Sequence, residues 1–241
     1  GEMDKDTDGS NLIKQVLLDE EDGPVHLQAW GGTNTIARAL KSIEEEYSGT
    51  EDWERISKKV SNKAVIYIIL DQDATYRNYI SKSWPTVQTI YSSRQFGAIA
   101  YWWNRLIPEP YLPYMQGAWM AENIRFNHGP LLEAYYLYGD GRQVPNDEFH
   151  RHGDLAFTKS EGFTQYDFIS EGDSPAFLYL LNNGLRSSQN PSYGGWGGRF
   201  VQSPDLPSRW EDGEHVTDYN PYTQQQDRDF PQTRWIKAMQ N

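Results

Sequence analysis

Three short stretches carry the residue types that do polar chemistry. "GGTN" (31–34) sets two glycines ahead of Thr33 and Asn34. "DQD" places Asp71 and Asp73 two positions apart, and Asp173 stands at the head of "DSPAFLYLL". Carboxylates and backbone carbonyls are the donors that hard cations such as calcium select. Carboxylates and amides also grip sugar hydroxyls. Glycines beside them let a backbone approach a ligand closely. A second reading stays open, because Thr, Asn, Asp and Ser are also the residues that cap helices. Any one stretch taken alone is better explained as a cap; convergence of all three on one edge is what favours a ligand. "HRHGD" (150–154) offers two histidines and an aspartate, but a zinc site needs a further protein ligand, and the stretch reads as solvated loop. "GGWGG" (194–198) neither follows a strand nor opens a helix, so it is no phosphate loop. No serine sits in a nucleophile elbow. The sequence has no cysteine, which removes thiolate chemistry and disulfides.

The elements that must place these residues are written in the hydropathy pattern. Ser10 is expected to cap a first helix with Leu12, Ile13, Val16 and Leu17 on its apolar side. "VHLQAW" (25–30) alternates as a strand does. Ile36, Leu40, Ile43 and Tyr47 then form an amphipathic stripe on a helix that Asn34 begins, and Trp53, Ile56 and Val60 mark the next helix. "AVIYIIL" (64–70) is an unbroken, mostly β-branched run, the mark of a strand buried on both faces of a parallel sheet. "DQDATY" leaves that strand, a helix with Tyr76, Tyr79 and Ile80 runs to Pro85, and "TVQTIY" (86–91) reads as a third strand. The pattern predicts an α/β fold with a mostly parallel sheet flanked by helices, and an irregular second half rich in Gly and aromatics. Ligands of such sheets bind beyond the carboxyl ends of the strands, which is where "GGTN" and "DQD" fall.

Beyond residue 92 the signals are sparser. Helices are expected over 118–126 and 174–183, the latter capped by Asp173 or Ser174 and stopped by Gly184, with a weaker one in "GPLLEAYYLYG". Residues 139–168 read as a polar insertion or lid, and 190–200 as a Gly/aromatic loop. "TRWIKAMQ" suggests a last helix. Residues 1–200 are expected to form one domain, with 201–241 as its C-terminal tail.

The chain has 241 residues, enough for a sizeable core, and a formal net charge of -12. That charge excludes a nucleic-acid backbone as partner, which would need clustered Lys and Arg. No apolar run reaches membrane-spanning length, so no membrane partner is expected, and no stretch reads as a signal peptide. Aromatic residues make up 14%, with 9 Trp and 16 Tyr. Sugar-binding clefts use aromatic faces, and cores and interfaces use them equally. Trp102, Trp103, Trp196 and Trp210 are the candidates for exposed platforms.

Together "WGGTNTIARAL", "YIILDQD", "EGDSPAFLYLLNNGL" and "PSYGGWGGRF" resemble, in order and over most of residues 8–200, the nucleoside-hydrolase-like domain of bacterial proteins described as cellulose-binding. The resemblance implies an α/β fold related to nucleoside hydrolases, whose calcium is held by N-terminal aspartates, a carbonyl of a "TN" loop and a late aspartate. By that resemblance Thr33 would give its carbonyl to calcium, Asp173 would bind metal and a sugar hydroxyl, and Asn34 would brace the loop. Glu122 and Asn123 are similar to sugar-gripping residues, and Asp71, Asp73, Glu171 and Trp196 complete the expected substrate-binding set. Two departures matter. Gly172 stands where many relatives have the histidine that assists the leaving group. The Asp-rich first-strand loop is also missing, so the general base is expected in an upstream segment of the same protein. That segment is then a partner of this chain, beside a sugar, nucleoside or polysaccharide ligand. The resemblance further suggests a secreted or periplasmic location.

Two functions follow as expectations. One is hydrolysis of a glycosidic or N-ribosidic bond, with calcium lowering the pKa of an attacking water, an aspartate taking its proton and the anomeric centre inverted. The other is a carbohydrate-binding module that keeps the fold without the chemistry.

Overall fold

A computed structural model describes residues 3–92, 100, 103–143, 150–181, 185–213, 219–220 and 225–226. The chain divides into two compact units: Gly1–Phe96 with Asp173–Asp218 and Arg228–Asn241, and Gly97–Gly172 with Tyr219–Asp227.

In the first unit, helix α1 (Asp8–Leu18) opens on a capping box. Thr7, rather than Ser10, is the cap, and Ser10 returns the bond to the Thr7 N–H. Leu12, expected on the apolar side, is 60% exposed, and Leu17 is the residue buried. Strand β1 (Val25–Ala29), helix α2 (Asn34–Tyr47), helix α3 (Trp53–Lys63) and strand β2 (Ala64–Ile69) follow. All six residues of β2 are buried. Strands β3 (Gln88–Ser92), β4 (Phe200–Gln202) and β5 (Arg209–Asp212) complete a sheet of order β1-β2-β3-β5-β4. The first four in that order are parallel, with Leu27 opposite Ile66, Ile66 opposite Thr89 and Ile90 opposite Trp210; β4 is antiparallel to β5. The α/β, mostly parallel reading therefore holds, but β4 and β5 come from a stretch read as loop and tail.

Strand alternation divides the core into two layers. Ile66 and Ile68 of β2 face Leu40, Ile43, Ile56 and Val60 of α2 and α3. Tyr67 and Ile69 face Ala176, Tyr179 and Phe200 on the other side, where the Tyr67, Tyr179 and Phe200 rings stand 5.5 to 6.0 Å apart. The helix expected over 174–183 is the shorter Ser174–Leu178, and Gly184 lies outside the described residues.

The second unit is built from short turns of helix. Trp103, expected at the surface, is 1% exposed: its indole N–H donates to the Phe168 carbonyl at 2.8 Å, and its ring lies against Phe163 and Phe168. Asp167 is buried and accepts from the Gly117 N–H at 2.6 Å and from the Thr164 N–H and hydroxyl at 2.7 Å each. Residues 150–154, read as solvated loop, form a 3-10 turn, His150–Gly153, that leads through Asp154 into the helix Leu155–Ser160. Asp154 caps that helix, and His152 lies edge-on to Tyr138 with ring centroids 5.0 Å apart. The unit's two strand pieces, Tyr219–Asn220 and Gln225–Gln226, pair antiparallel. Trp102 and "TRWIKAMQ" lie outside the described residues. Among the described residues no helix is long and apolar enough to cross a membrane.

Candidate functional site

Strands β1 and β2 run parallel and end side by side, with Ala29 opposite Ile68. The loops that follow them therefore share one edge, and "GGTN" meets "DQD" there. Asp73 makes the join. Its Oδ2 accepts from the Asn34 N–H at 2.9 Å. Its Oδ1 accepts from the Thr75 N–H at 3.0 Å and the Thr75 hydroxyl at 2.7 Å, and more weakly from the Thr33 hydroxyl at 3.5 Å. The hydroxyls of Thr33 and Thr75 share a further bond of 2.6 Å. Burial raises the Asp73 pKa as the largest single influence, but the N–H and O–H donors of Thr75, Asn34 and Thr33 together outweigh it. The carboxyl stays below the ordinary aspartate value.

This join also explains Gly32. A Cβ at that position would overlap the Asp73 carboxylate, whereas one at Gly31 would meet nothing within 4 Å. The partner for which Gly32 makes room is thus an internal carboxylate.

Asp71 is taken up inside its own loop. Its side chain is 2% exposed. Oδ1 accepts from the Tyr76 N–H at 3.1 Å, and Oδ2 from the Arg77 N–H at 3.2 Å and the Arg77 guanidinium at 3.0 Å. These bonds hold a turn that passes through the left-handed region at two non-glycine residues, Leu70 (φ 59°) and Ala74 (φ 64°), and leads into a π-helical turn, Tyr76–Ile80. Between the two aspartates Gln72 is exposed, and its Nε2 donates to the carbonyls of Ile69 at 2.9 Å and Trp30 at 3.0 Å.

Asp173 belongs to the same unit and holds the N-cap position of Ser174–Leu178, but its carboxylate makes no cap bond to that helix. The helix is attached to the sheet through Gln28, whose Nε2 donates to the Ala176 carbonyl at 2.6 Å. Loop 190–200 lies on the helix as well. Gly197 approaches so closely that an added Cβ would come within 2.7 Å of the Tyr179 Cα. Trp196, beside it, is 46% exposed. Trp210 is half-buried against the layer of Tyr67 and Ile69.

Glu122, Asn123 and Glu171 fall in the second unit. Glu122 and Asn123 are exposed on the π-helical turn Ala121–Arg125, where the Asn123 amide donates back to the Trp119 carbonyl at 3.0 Å. Glu171 accepts from the hydroxyl of Tyr135, whose pKa is raised by burial and then by that carboxylate.

The calcium that the resemblance implies can be tested against these donors. The Thr33 carbonyl already accepts from the Ala37 N–H at 2.8 Å as the first rung of α2. Both oxygens of Asp73 and of Asp71 are engaged by N–H or O–H donors. Among the described residues no group of three or more His, Asp or Glu is placed to hold a metal. Calcium takes about six to eight oxygens, more than Thr33 and Asp173 supply by themselves.

Two exposed residues of this edge, Trp30 and Gln72, were not among the expected site residues. Trp30 is 49% exposed where β1 ends. The available signal was a tryptophan between a strand and a glycine pair, and a neutral amide set between two acids.

Comparison with known proteins agrees with this architecture. Residues 1–200 match the family model described as "Cellulose-binding Sde182, nucleoside hydrolase-like domain". No curated protein matches. A solved structure from Saccharophagus degradans, described as a nucleoside hydrolase-related hypothetical protein associated with carbohydrate metabolism, is 25% identical with a TM-score of 0.53. The match covers 84% of this chain and 38% of the other, so this chain spans well under half of that protein.

Proposed function

The chain belongs to the cellulose-binding, nucleoside hydrolase-like domain family, and from that membership we propose that it binds carbohydrate at the carboxyl edge of its parallel sheet without supplying hydrolytic chemistry of its own. One observation carries this reading: Asp71 and Asp73 are taken up in holding the edge together. A general base must reach a substrate water with a lone pair available. Asp71 is buried under three donors, and Asp73 binds two loops together. Beside the exposed Asp73 carboxylate, which is tied to Asn34 and Thr75, the edge offers outward Trp30 and Trp196, each about half exposed, and the amide of Gln72. Aromatic rings with a few amides suit a sugar, whose C–H face is apolar and whose rim is hydroxyl. Asp173 is the carboxylate proposed to reach a sugar hydroxyl at this edge; for Glu122, Asn123 and Glu171, which belong to the second unit, a sugar-binding role is proposed from the resemblance alone.

Hydrolysis is the second reading, favoured by the likeness to a nucleoside hydrolase-related protein. Retention on microcrystalline cellulose, set against release of nitrophenol from aryl ribosides and glucosides, separates the two. Retention without turnover is expected. Turnover that Asp173→Asn abolishes would replace binding with catalysis.

A further inference from the structure

The carboxyl edge of β1 and β2 carries one arrangement that its acids do not explain. The turn after β2 holds two non-glycine residues with positive φ, a conformation that costs about 1–2 kcal/mol per residue. The buried Asp71 and the exposed, hydrogen-bonded Asp73 hold it, and Gln72 stands exposed between them. The Gln72 amide is not adaptable. Facing two carbonyls, of Ile69 at 2.9 Å and Trp30 at 3.0 Å, only its NH2 group can occupy that side. Its Oε1 is thereby turned away from the backbone as an acceptor of fixed direction. The same bond ties the amide to the backbone of Trp30, a residue left 49% exposed. A large apolar ring half in water, on the residue whose carbonyl orients that acceptor, is arranged for a ligand with an apolar face and a donor at its rim.

We infer that Trp30 and Gln72 form a sugar subsite, the indole stacking on the C–H face of a pyranose and Gln72 Oε1 accepting a hydroxyl of the same or the next ring. The subsite rests on the carbohydrate-binding reading and gives a neutral glucan chain, the class to which the cellulose of the family's description belongs, a place on this edge. An acidic sugar is disfavoured, because the Asp73 carboxylate lies one residue from Gln72 and the nearby Arg77 is already paired with Asp71. It also reverses the expectation for "DQD". The two acids build the loop, and the residue between them meets the ligand.

The test is calorimetry of the full chain with cellohexaose and, in parallel, oligogalacturonate of equal length. Trp30→Ala is expected to weaken cellohexaose binding roughly tenfold or more, the equivalent of one aromatic contact. Trp30→Phe should keep part of that loss from appearing, and Gln72→Met should weaken binding by a few-fold. Both positions are exposed, so melting temperatures should stay at the wild-type value. Oligogalacturonate should bind more weakly than cellohexaose. Wild-type affinity in both Trp30→Ala and Gln72→Met overturns the subsite, and so does a loss of affinity that appears only together with a lowered melting temperature. If the unaltered chain binds no oligosaccharide at all, the carbohydrate reading falls and the subsite with it.

Discussion

At the scale of residues, Gly32 and Asp73 act as one unit. The carboxylate lies in the space a side chain at position 32 would fill. Gly32→Ala should therefore displace Asp73 from the N–H of Asn34 and lower stability by about 1–3 kcal/mol. Gly31→Ala, with nothing within 4 Å, should stay within about 0.5 kcal/mol of wild type. Urea melts of the two variants give the comparison, and equal melts would mean the carboxylate is not held where it is seen. The same tie has a pH signature. The carboxyl of Asp73 lies lower in the folded chain than the ordinary aspartate value near 4. Its contribution is thus fully present above about pH 4 and is lost as the pH falls through the lower folded value. The acid limb of a stability–pH curve between about pH 2 and 5 should accordingly flatten in Asp73→Asn, whose amide does not titrate.

At the scale of elements, the loop over 190–200 and the Ser174–Leu178 helix are held together by the absence of a side chain at Gly197. An added Cβ would meet backbone, the Pro175 carbonyl and the Tyr179 N and Cα, and backbone cannot swing aside as a side-chain end can. Gly197→Ala should lift the loop, costing about 1–3 kcal/mol, and should shift the emission of Trp196 because that indole rides on it. The same helix shows how far local signals reach. Pro175 and the residues before it set its start, as the sequence suggests. Its end at Leu178 comes earlier than the apolar pattern to 183 implies. With only five residues, its dipole is too short to organise much charge at Asp173.

At the scale of the whole molecule, each unit has its own core, and each core hangs on a fully buried side chain. Ile68, at 0% exposure, lies in the central layer beneath α2 and α3. Truncation to Ala should cost about 2–5 kcal/mol and speed hydrogen exchange in β1, β2 and β3. Trp103 has the matching place in the second unit, and Trp103→Ala should cost about 3–5 kcal/mol there. Its readout is exchange at the amides of Gly117 and Thr164, both bound to the buried Asp167.

Much of the first unit was legible in the sequence because its signals are local and periodic. The stripe of Ile36, Leu40 and Ile43 repeats with the helix, and the unbroken, mostly β-branched apolar run of β2 points to a strand covered on both faces. From parallel strands it followed that "GGTN" and "DQD" share an edge, and the bond from Asn34 to Asp73 joins them there. The family resemblance was legible too, since it rests on ordered motifs. Only the tertiary structure decided what each polar residue does. A carboxylate has the same letters whether it meets a ligand or an N–H across 39 positions of chain, and Asp73 meets the N–H. Trp103 and Trp196 are the same residue type, and contacts with Phe163 and Phe168 bury one while a glycine loop leaves the other half exposed. Strand β5 reads as polar tail because three of its four residues are charged; its pairing with β3, more than a hundred residues earlier, makes it a strand. Periodicity reports which face of an element is apolar, whereas a polar group's role is set by the partner it finds, and partners distant in sequence exist only once the chain is folded.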